Sequence, residues 1–160
     1  MPGLLDPIRI KSLELPNRLV MPPMANRFAT EDGEVTERLL SHYRERASGV
    51  GLVIVEYSYV MPAGRSGVSQ TGIHSDAVIP GLTLLAKTVQ ELGAKIAIQL
   101  NHGGAKALSV PALGAPAGPS AVSMPNSNVV PRELSVDEIG DIVVAFGKAA
   151  VRAVEAGFDA

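Results

Sequence analysis

Residues 95–106 read Lys-Ile-Ala-Ile-Gln-Leu-Asn-His-Gly-Gly-Ala-Lys. The apolar positions Ile96, Ala97, Ile98 and Leu100 mark a short buried strand, and it runs directly into an amide, an imidazole, two glycines and an ammonium group. Polar groups at the carboxyl end of a buried parallel strand are where α/β barrels and open α/β sheets build their sites. Two earlier strands end the same way, in Met21-Pro22-Pro23-Met24-Ala25-Asn26 and in Val55-Glu56-Tyr57-Ser58. Three such ends predict one ligand-binding face.

Outward from that stretch, Ile8, Ile10, Leu13 and Leu15 alternate around Lys11-Ser12, which predicts a leading hairpin. A first buried strand spans 19–24 and stops at Pro22-Pro23, since proline removes ladder donors. Thr36 is placed to cap a helix carrying Leu39, Leu40, Tyr43 and Ala47 inward, with Gly49 at its end. A second strand covers 50–60. A helix opens near Pro80, ends before Gly93, and sets Leu82, Leu85, Val89 and Leu92 on one face. The third strand is followed by a loop from Asn101 to Arg132 with prolines at 111, 116, 119, 125 and 131, a length usual for functional or mobile segments. Ser135-Val136-Asp137-Glu138 then forms a capping box, and the helix behind it is predicted to bury Ile139, Ile142, Val143, Phe146, Ala150 and Val154. Phe158-Asp159-Ala160 opens a fourth strand. The order is hairpin, then three βα units and the start of another strand. The expected class is therefore α/β, the amino-terminal half of a TIM (β/α)₈ barrel with a leading β-hairpin, with residues 1–160 as one partial domain. A complete barrel takes roughly 250 residues, and half of one leaves open edges and an apolar interior. The expectation is a piece of a larger protein or a chain that pairs with another.

Composition narrows the function classes. A hydrophobic fraction of 46% and a formal charge of −2 describe a globular chain. With no basic stripe and few aromatics, no nucleic-acid partner is expected. There is no cysteine, which removes disulfides, thiolate metal sites and a cysteine nucleophile from these residues. The start has no signal-peptide pattern, and the longest apolar run, 50–55, is far short of the ~20 residues that span a bilayer. The expected setting is the cytoplasm, with no membrane partner.

For single residues, alternatives stand side by side. The Gln99 amide can read a ring edge offering both N–H and C=O, as in a flavin pyrimidine or a nucleobase, or it can tie a neighbouring loop to its strand. His102 can contact a ligand, donate a proton or hold backbone carbonyls; no metal site is expected, because His42 and His74 make no ligand spacing with it. Gly103-Gly104 admits a close backbone approach or makes a tight turn. Lys106 can neutralise charge on a ligand or be a solvated loop lysine. Glu56 is a paired structural carboxylate or a site acid. No G-x-S-x-G, G-x-x-x-x-G-K-[ST] or H-E-x-x-H motif is present.

Five segments occur in order: 17–24 (Asn-Arg-Leu-Val-Met-Pro-Pro-Met), 32–36 (Asp-Gly-Glu-Val-Thr), 51–56 (Gly-Leu-Val-Ile-Val-Glu), 99–104 (Gln-Leu-Asn-His-Gly-Gly) and 135–139 (Ser-Val-Asp-Glu-Ile). The series closely resembles the Old Yellow Enzyme family of FMN-dependent NAD(P)H:flavin oxidoreductases, over its amino-terminal half. The resemblance implies FMN as cofactor, NAD(P)H as reductant and a small-molecule substrate with an activated C=C bond. Pro22, Pro23, Met24 and Ala25 match the segment whose backbone lies along the flavin ring. Tyr57 matches a position touching the ring through its backbone, Gln99 the pyrimidine-binding glutamine, and Lys106 a basic position near the site in some members. Arg27 falls where some members place a substrate-facing tyrosine, and Ala25 where some carry a redox-tuning cysteine. His102 is expected at the substrate. The family's substrate-anchoring pair and proton-donating tyrosine follow strand four, so catalytic residues are expected beyond Ala160. An iron–sulfur cluster and further domain, found in longer members, stay open for a longer parent. Beside this reading stand a non-catalytic half-barrel that self-assembles as a scaffold, and another barrel enzyme acting on a phosphorylated sugar.

Overall fold

The computed structural model describes residues 2–108, 114–125 and 127–160; Pro111 of the long loop lies outside them. Strands β1 (Ile8–Ile10) and β2 (Leu13–Leu15) form the expected antiparallel hairpin, with Ile8 opposite Leu15 and Ile10 opposite Leu13. Strands β3 (Val20–Met21), β4 (Leu52–Tyr59) and β5 (Lys95–Asn101) form a parallel sheet in that order. Side chains alternate across a sheet, and the two faces have different covers. Val53, Val55, Ile96 and Ile98 belong to the main core with Leu39, Tyr43, Leu82, Leu85 and Val89 of the helices. Leu52 and Ala97, near the strand starts, are buried with Leu15 under the hairpin. The hairpin therefore closes the amino-terminal end of the inner face and leaves the carboxyl ends clear.

The first two helices start and stop where local chemistry directs. Helix α1 (Glu37–Ala47) is capped by Thr36, whose hydroxyl oxygen accepts from Leu39 N–H at 3.1 Å, and Gly49 beyond it has φ +81°. Helix α2 (Ile79–Gln90) has Pro80 in its first turn and buries Leu82, Leu85 and Val89. Leu92, expected on that inward face, is 40% exposed because the helix ends at Gln90 and the chain has begun its turn towards Gly93 (φ +88°).

Helix α3 (Val136–Glu155) begins with the expected capping box: Ser135 Oγ accepts from Glu138 N–H at 3.2 Å, and Ser135 N–H donates to the Glu138 carboxylate at 2.8 Å. Its inward face differs from expectation. Ala149 and Ala153 are buried, with Ala145 and Phe146 packed beside them, whereas Ile139, Val143 and Val154 are 47%, 66% and 74% exposed and Ala150 is exposed. The helix rests on α2 and β5 through its small residues, so its larger aliphatic side chains point where no element of these residues is packed.

A fourth strand starts as the pattern predicts. Asp159 N–H donates to the Ile96 carbonyl at 2.9 Å, and Ile98 N–H donates to the Ala160 carbonyl at 3.1 Å. The Asp159 carboxylate accepts from Lys95 Nζ at 2.9 Å and from Ile96 N–H and Gln90 Nε2 at 3.0 Å each. Burial pushes that carboxyl upward, but these donors outweigh it and hold it below the usual range. The long loop is tied at its base by β6 (Ala117–Gly118) and β7 (Arg132–Glu133), a two-residue parallel pair.

Candidate functional site

Chain geometry at the end of β3 follows from its prolines. The strand leaves the ladder after Met21, Pro22 and Pro23 have no N–H, and the Met24 and Ala25 amides donate to no other described residue. Both residues are exposed at the carboxyl end of the sheet. The chain is then caught. Asn26 N–H donates to Glu56 Oε2 at 2.7 Å, and Asn26 Oδ1 accepts from Phe28 N–H at 2.9 Å, arching over Arg27, which has φ +57°.

Glu56 is 1% exposed, and its second oxygen accepts from the Thr71 hydroxyl at 2.7 Å. Its own N–H donates to Tyr43 Oη at 2.8 Å. Among the described residues no cation pairs with it, and it is spent on structure instead of facing a ligand. Burial raises the Tyr43 phenol far above its ordinary value, so it stays neutral. The β4–β5 register shifts between Val55 and Ser58, and this irregularity is bridged by side chains. The Tyr57 carbonyl accepts from Gln70 Nε2 at 3.0 Å, while Gln70 Oε1 accepts from Ser66 N–H at 2.8 Å. Tyr57 thus has its carbonyl already engaged, with its side chain half-buried. The sequence places Asn26 at a polar strand end and Tyr43 on an inward helix face, but does not signal their bonds to Glu56, nor the roles of Gln70 and Thr71. The only local signal was Asn26, a residue that favours a turn by bonding its own backbone two residues on.

At the end of β5, Gln99 is exposed and its amide pairs with no other described residue. That removes the reading in which it ties a loop to the strand and leaves both its N–H and C=O free for a ligand. His102 is placed differently. Its Nδ1 accepts from Gly104 N–H at 3.1 Å, its ring lies so close to Gly64 that a Cβ there would clash, and burial lowers its pKa. It lines a cavity of about 220 Å³ with Met61, Ala63, Arg132, Leu134 and Glu138, a cavity whose lining includes neither Gln99 nor Arg27. Gly103-Gly104 makes the tight turn: Gly103 N–H donates to the Gly64 carbonyl at 2.7 Å and Gly104 has φ +54°. Lys106, exposed at the end of a short 3₁₀ turn, forms no ion pair among the described residues. His42, read as remote from the strand ends, packs edge-on against Phe28 and Tyr43, close to the Asn26 turn. Among the described residues no group of three metal-ligating side chains converges, and no helix is long and apolar enough to cross a membrane.

An amide pair after β3 and a carboxamide near the end of β5, both unpaired among the described residues and on one end of a parallel sheet, suit a planar heterocycle with alternating donors and acceptors. The family model described as "NADH:flavin oxidoreductase / NADH oxidase family" matches residues 3–160. The chain belongs to that family. It is 43% identical over 152 residues to an NADPH dehydrogenase of Clostridium acetobutylicum, covering 94% of this chain and 44% of that protein. An NADPH dehydrogenase of Bacillus subtilis is 44% identical over 158 residues, 98% and 46% of the two chains. Among solved structures, morphinone reductase in complex with tetrahydroNAD superposes with a TM-score of 0.91 at 34% identity, covering 99% of this chain and 48% of that one. The old yellow enzyme homologue from Zymomonas mobilis gives 0.87 at 31% identity, covering 99% and 47%. This member of the NADH:flavin oxidoreductase family thus has the fold of the amino-terminal half of a TIM barrel and spans less than half the length of these relatives.

Proposed function

We propose that the protein carrying these residues is an FMN-dependent NAD(P)H oxidoreductase that reduces activated C=C bonds such as those of enones or enoyl thioesters. The supporting observation is Gln99, a donor–acceptor unpaired among the described residues at the carboxyl end of the sheet in a chain of this family. When bound, FMN would supply the redox chemistry of hydride transfer between NAD(P)H and the alkene. The chain's own residues orient. Gln99 would hold the pyrimidine edge, and the backbone of Pro22, Pro23, Met24 and Ala25 would lie along the ring, offering the Met24 and Ala25 N–H groups, which are unpaired among the described residues. Tyr57 would approach through its main chain, Lys106 would add positive charge near the site, and Arg27 is assigned to the substrate, with His102 reaching it only from the separate cavity it lines. The residues that donate the proton lie outside this set. A cytoplasmic setting and a homo-oligomeric assembly complete the reading.

The test is titration with FMN, followed by flavin fluorescence and the visible band. Saturable binding that weakens about tenfold in Gln99→Ala is expected, the size of one good hydrogen bond. A full-length protein that is colourless and cannot be loaded overturns the assignment. A second reading, a self-assembling half-barrel scaffold, is favoured by the uncovered aliphatic side chains of α3. A colourless dimer with a closed barrel would establish that instead.

A further inference from the structure

Arg27 is one of three non-glycine residues with positive φ among the described residues, and it sits in the strand-end turn after β3. Left-handed backbone disfavours a residue with a Cβ and persists only where the surroundings impose it. Here the clamp is complete on both sides. Asn26 is held by the buried Glu56 carboxylate and bonds across Arg27 to Phe28 N–H. The Phe28 carbonyl accepts from the Thr36 hydroxyl, and Ala29 N–H donates to the Ser69 carbonyl at 3.2 Å. The structure thus fixes where one side chain leaves the turn.

That side chain is an exposed guanidinium with no carboxylate partner among the described residues, and the residues outside that set include no Asp or Glu. Arg44, Arg46, Lys95, Arg132 and Arg152 all have carboxylate partners, and Arg38 lies over the Phe28 ring. Arg27 and Tyr57 meet at Gly67: a Cβ there would be in ordinary contact with both, 3.7 Å from Arg27 Nε and 3.6 Å from Tyr57 Oη. The acid nearest in the network, Glu56, already has both oxygens occupied. The planar N–H fork of an exposed guanidinium and a phenol hydroxyl brought side by side over a glycine are suited to a carboxylate.

We propose that Arg27, with Tyr57 beside it, is a specificity determinant that recognises a carboxylate carried by the alkene substrate, so that unsaturated acids are preferred to neutral enones. This rests on the flavin reading above. The test uses the full-length, FMN-loaded protein, titrated with benzoate and with its neutral analogue benzamide while the visible flavin band is followed. Benzoate is expected to bind more tightly. Arg27→Asn, which tolerates the left-handed turn, should weaken benzoate about 10- to 100-fold and benzamide less than about twofold. Arg27→Lys, keeping charge without the fork, should fall between. In steady state, the ratio of kcat/KM for an unsaturated acid to that for its methyl ester should fall by the same factor. Equal affinities in the wild type, or equal losses with both probes, overturn the proposal while leaving the flavin reading intact. A variant that loses affinity for NADPH but not benzoate assigns the guanidinium to the dinucleotide and overturns it likewise. A protein that cannot be loaded with FMN overturns both.

Discussion

A carboxylate sealed from water ordinarily keeps a cation beside it, yet among the described residues Glu56 is held by neutral donors alone, the Asn26 amide and the Thr71 hydroxyl, at 2.7 Å each. Both bonds are charge-assisted, and Gln would replace them with weaker neutral ones, its carbonyl facing the Asn26 N–H and its NH₂ facing the Thr71 hydroxyl turned to accept. Glu56→Gln should therefore destabilise the fold by about 1–3 kcal/mol, read as a lower urea midpoint with unchanged slope. Gln99→Ala should behave in the opposite manner. Its side chain is exposed and unpaired among the described residues, so stability should move by less than about 0.5 kcal/mol while FMN affinity falls. The difference shows what sequence could reveal at this scale. Gln99 and the prolines at 22 and 23 were legible because a strand's end can be read from its pattern. The partners of Glu56 were not, because Asn26, Tyr43 and Thr71 lie 30, 13 and 15 residues away along the chain and meet only when the sheet forms. The φ of Arg27 was equally hidden, since nothing about an arginine announces a left-handed turn.

Helix α3 shows the same contrast one level up. Its start was legible, since Ser135 and Glu138 occur at capping-box spacing and form both bonds. Ser135→Ala should lower stability by about 1 kcal/mol, measurable by thermal or urea unfolding. Arg132, bonded to both Glu138 oxygens at 2.6 and 2.9 Å, together with the Ser135 N–H, holds that carboxyl at about 2. The folded value lies below the unfolded one near 4.5, so the contribution is full above pH 4.5 and disappears as pH falls towards 2. Far-UV circular dichroism over that range should show helix loss in the wild type that is flattened in Glu138→Gln. Which stripe of α3 faces inward was not legible. The helix carries apolar residues on more than one side, and periodicity cannot say whether the alanines or the aliphatics meet a neighbour.

Across the whole molecule, burial lowers the pKa of His42, His74 and His102 from 6.5, in each case as the largest cause. The unfolded chain therefore takes up protons that the folded chain refuses, and stability should fall as pH drops below about 6.5. Urea midpoints at pH 7.5 and pH 5.5 would show it, the midpoint being lower at pH 5.5. The exposed Ile139, Val143 and Val154 give a second expectation: the isolated 160-residue chain should self-associate in sedimentation velocity, and Val143→Glu should reduce that association. The βα order, the hairpin and the class of fold were legible at this scale because hydrophobic period and turn residues agree in every unit. How the loops after β4 and β5 dock on each other was not, since it depends on contacts such as Gly103 with Gly64 that no local pattern encodes.

The Asp159 clamp has a consequence for the order of assembly. Its carboxylate engages Lys95, Ile96 and Gln90 while Asp159 and Ala160 share backbone bonds with Ile96 and Ile98. A one-residue slip would reverse which face of the fourth strand meets the core. The Asp159 carboxylate therefore fixes the register in which Asp159 and Ala160 meet β5. The costly event in joining this strand is then closure of the long 101–158 excursion, and once that loop has closed the strand pairs in a register already chosen.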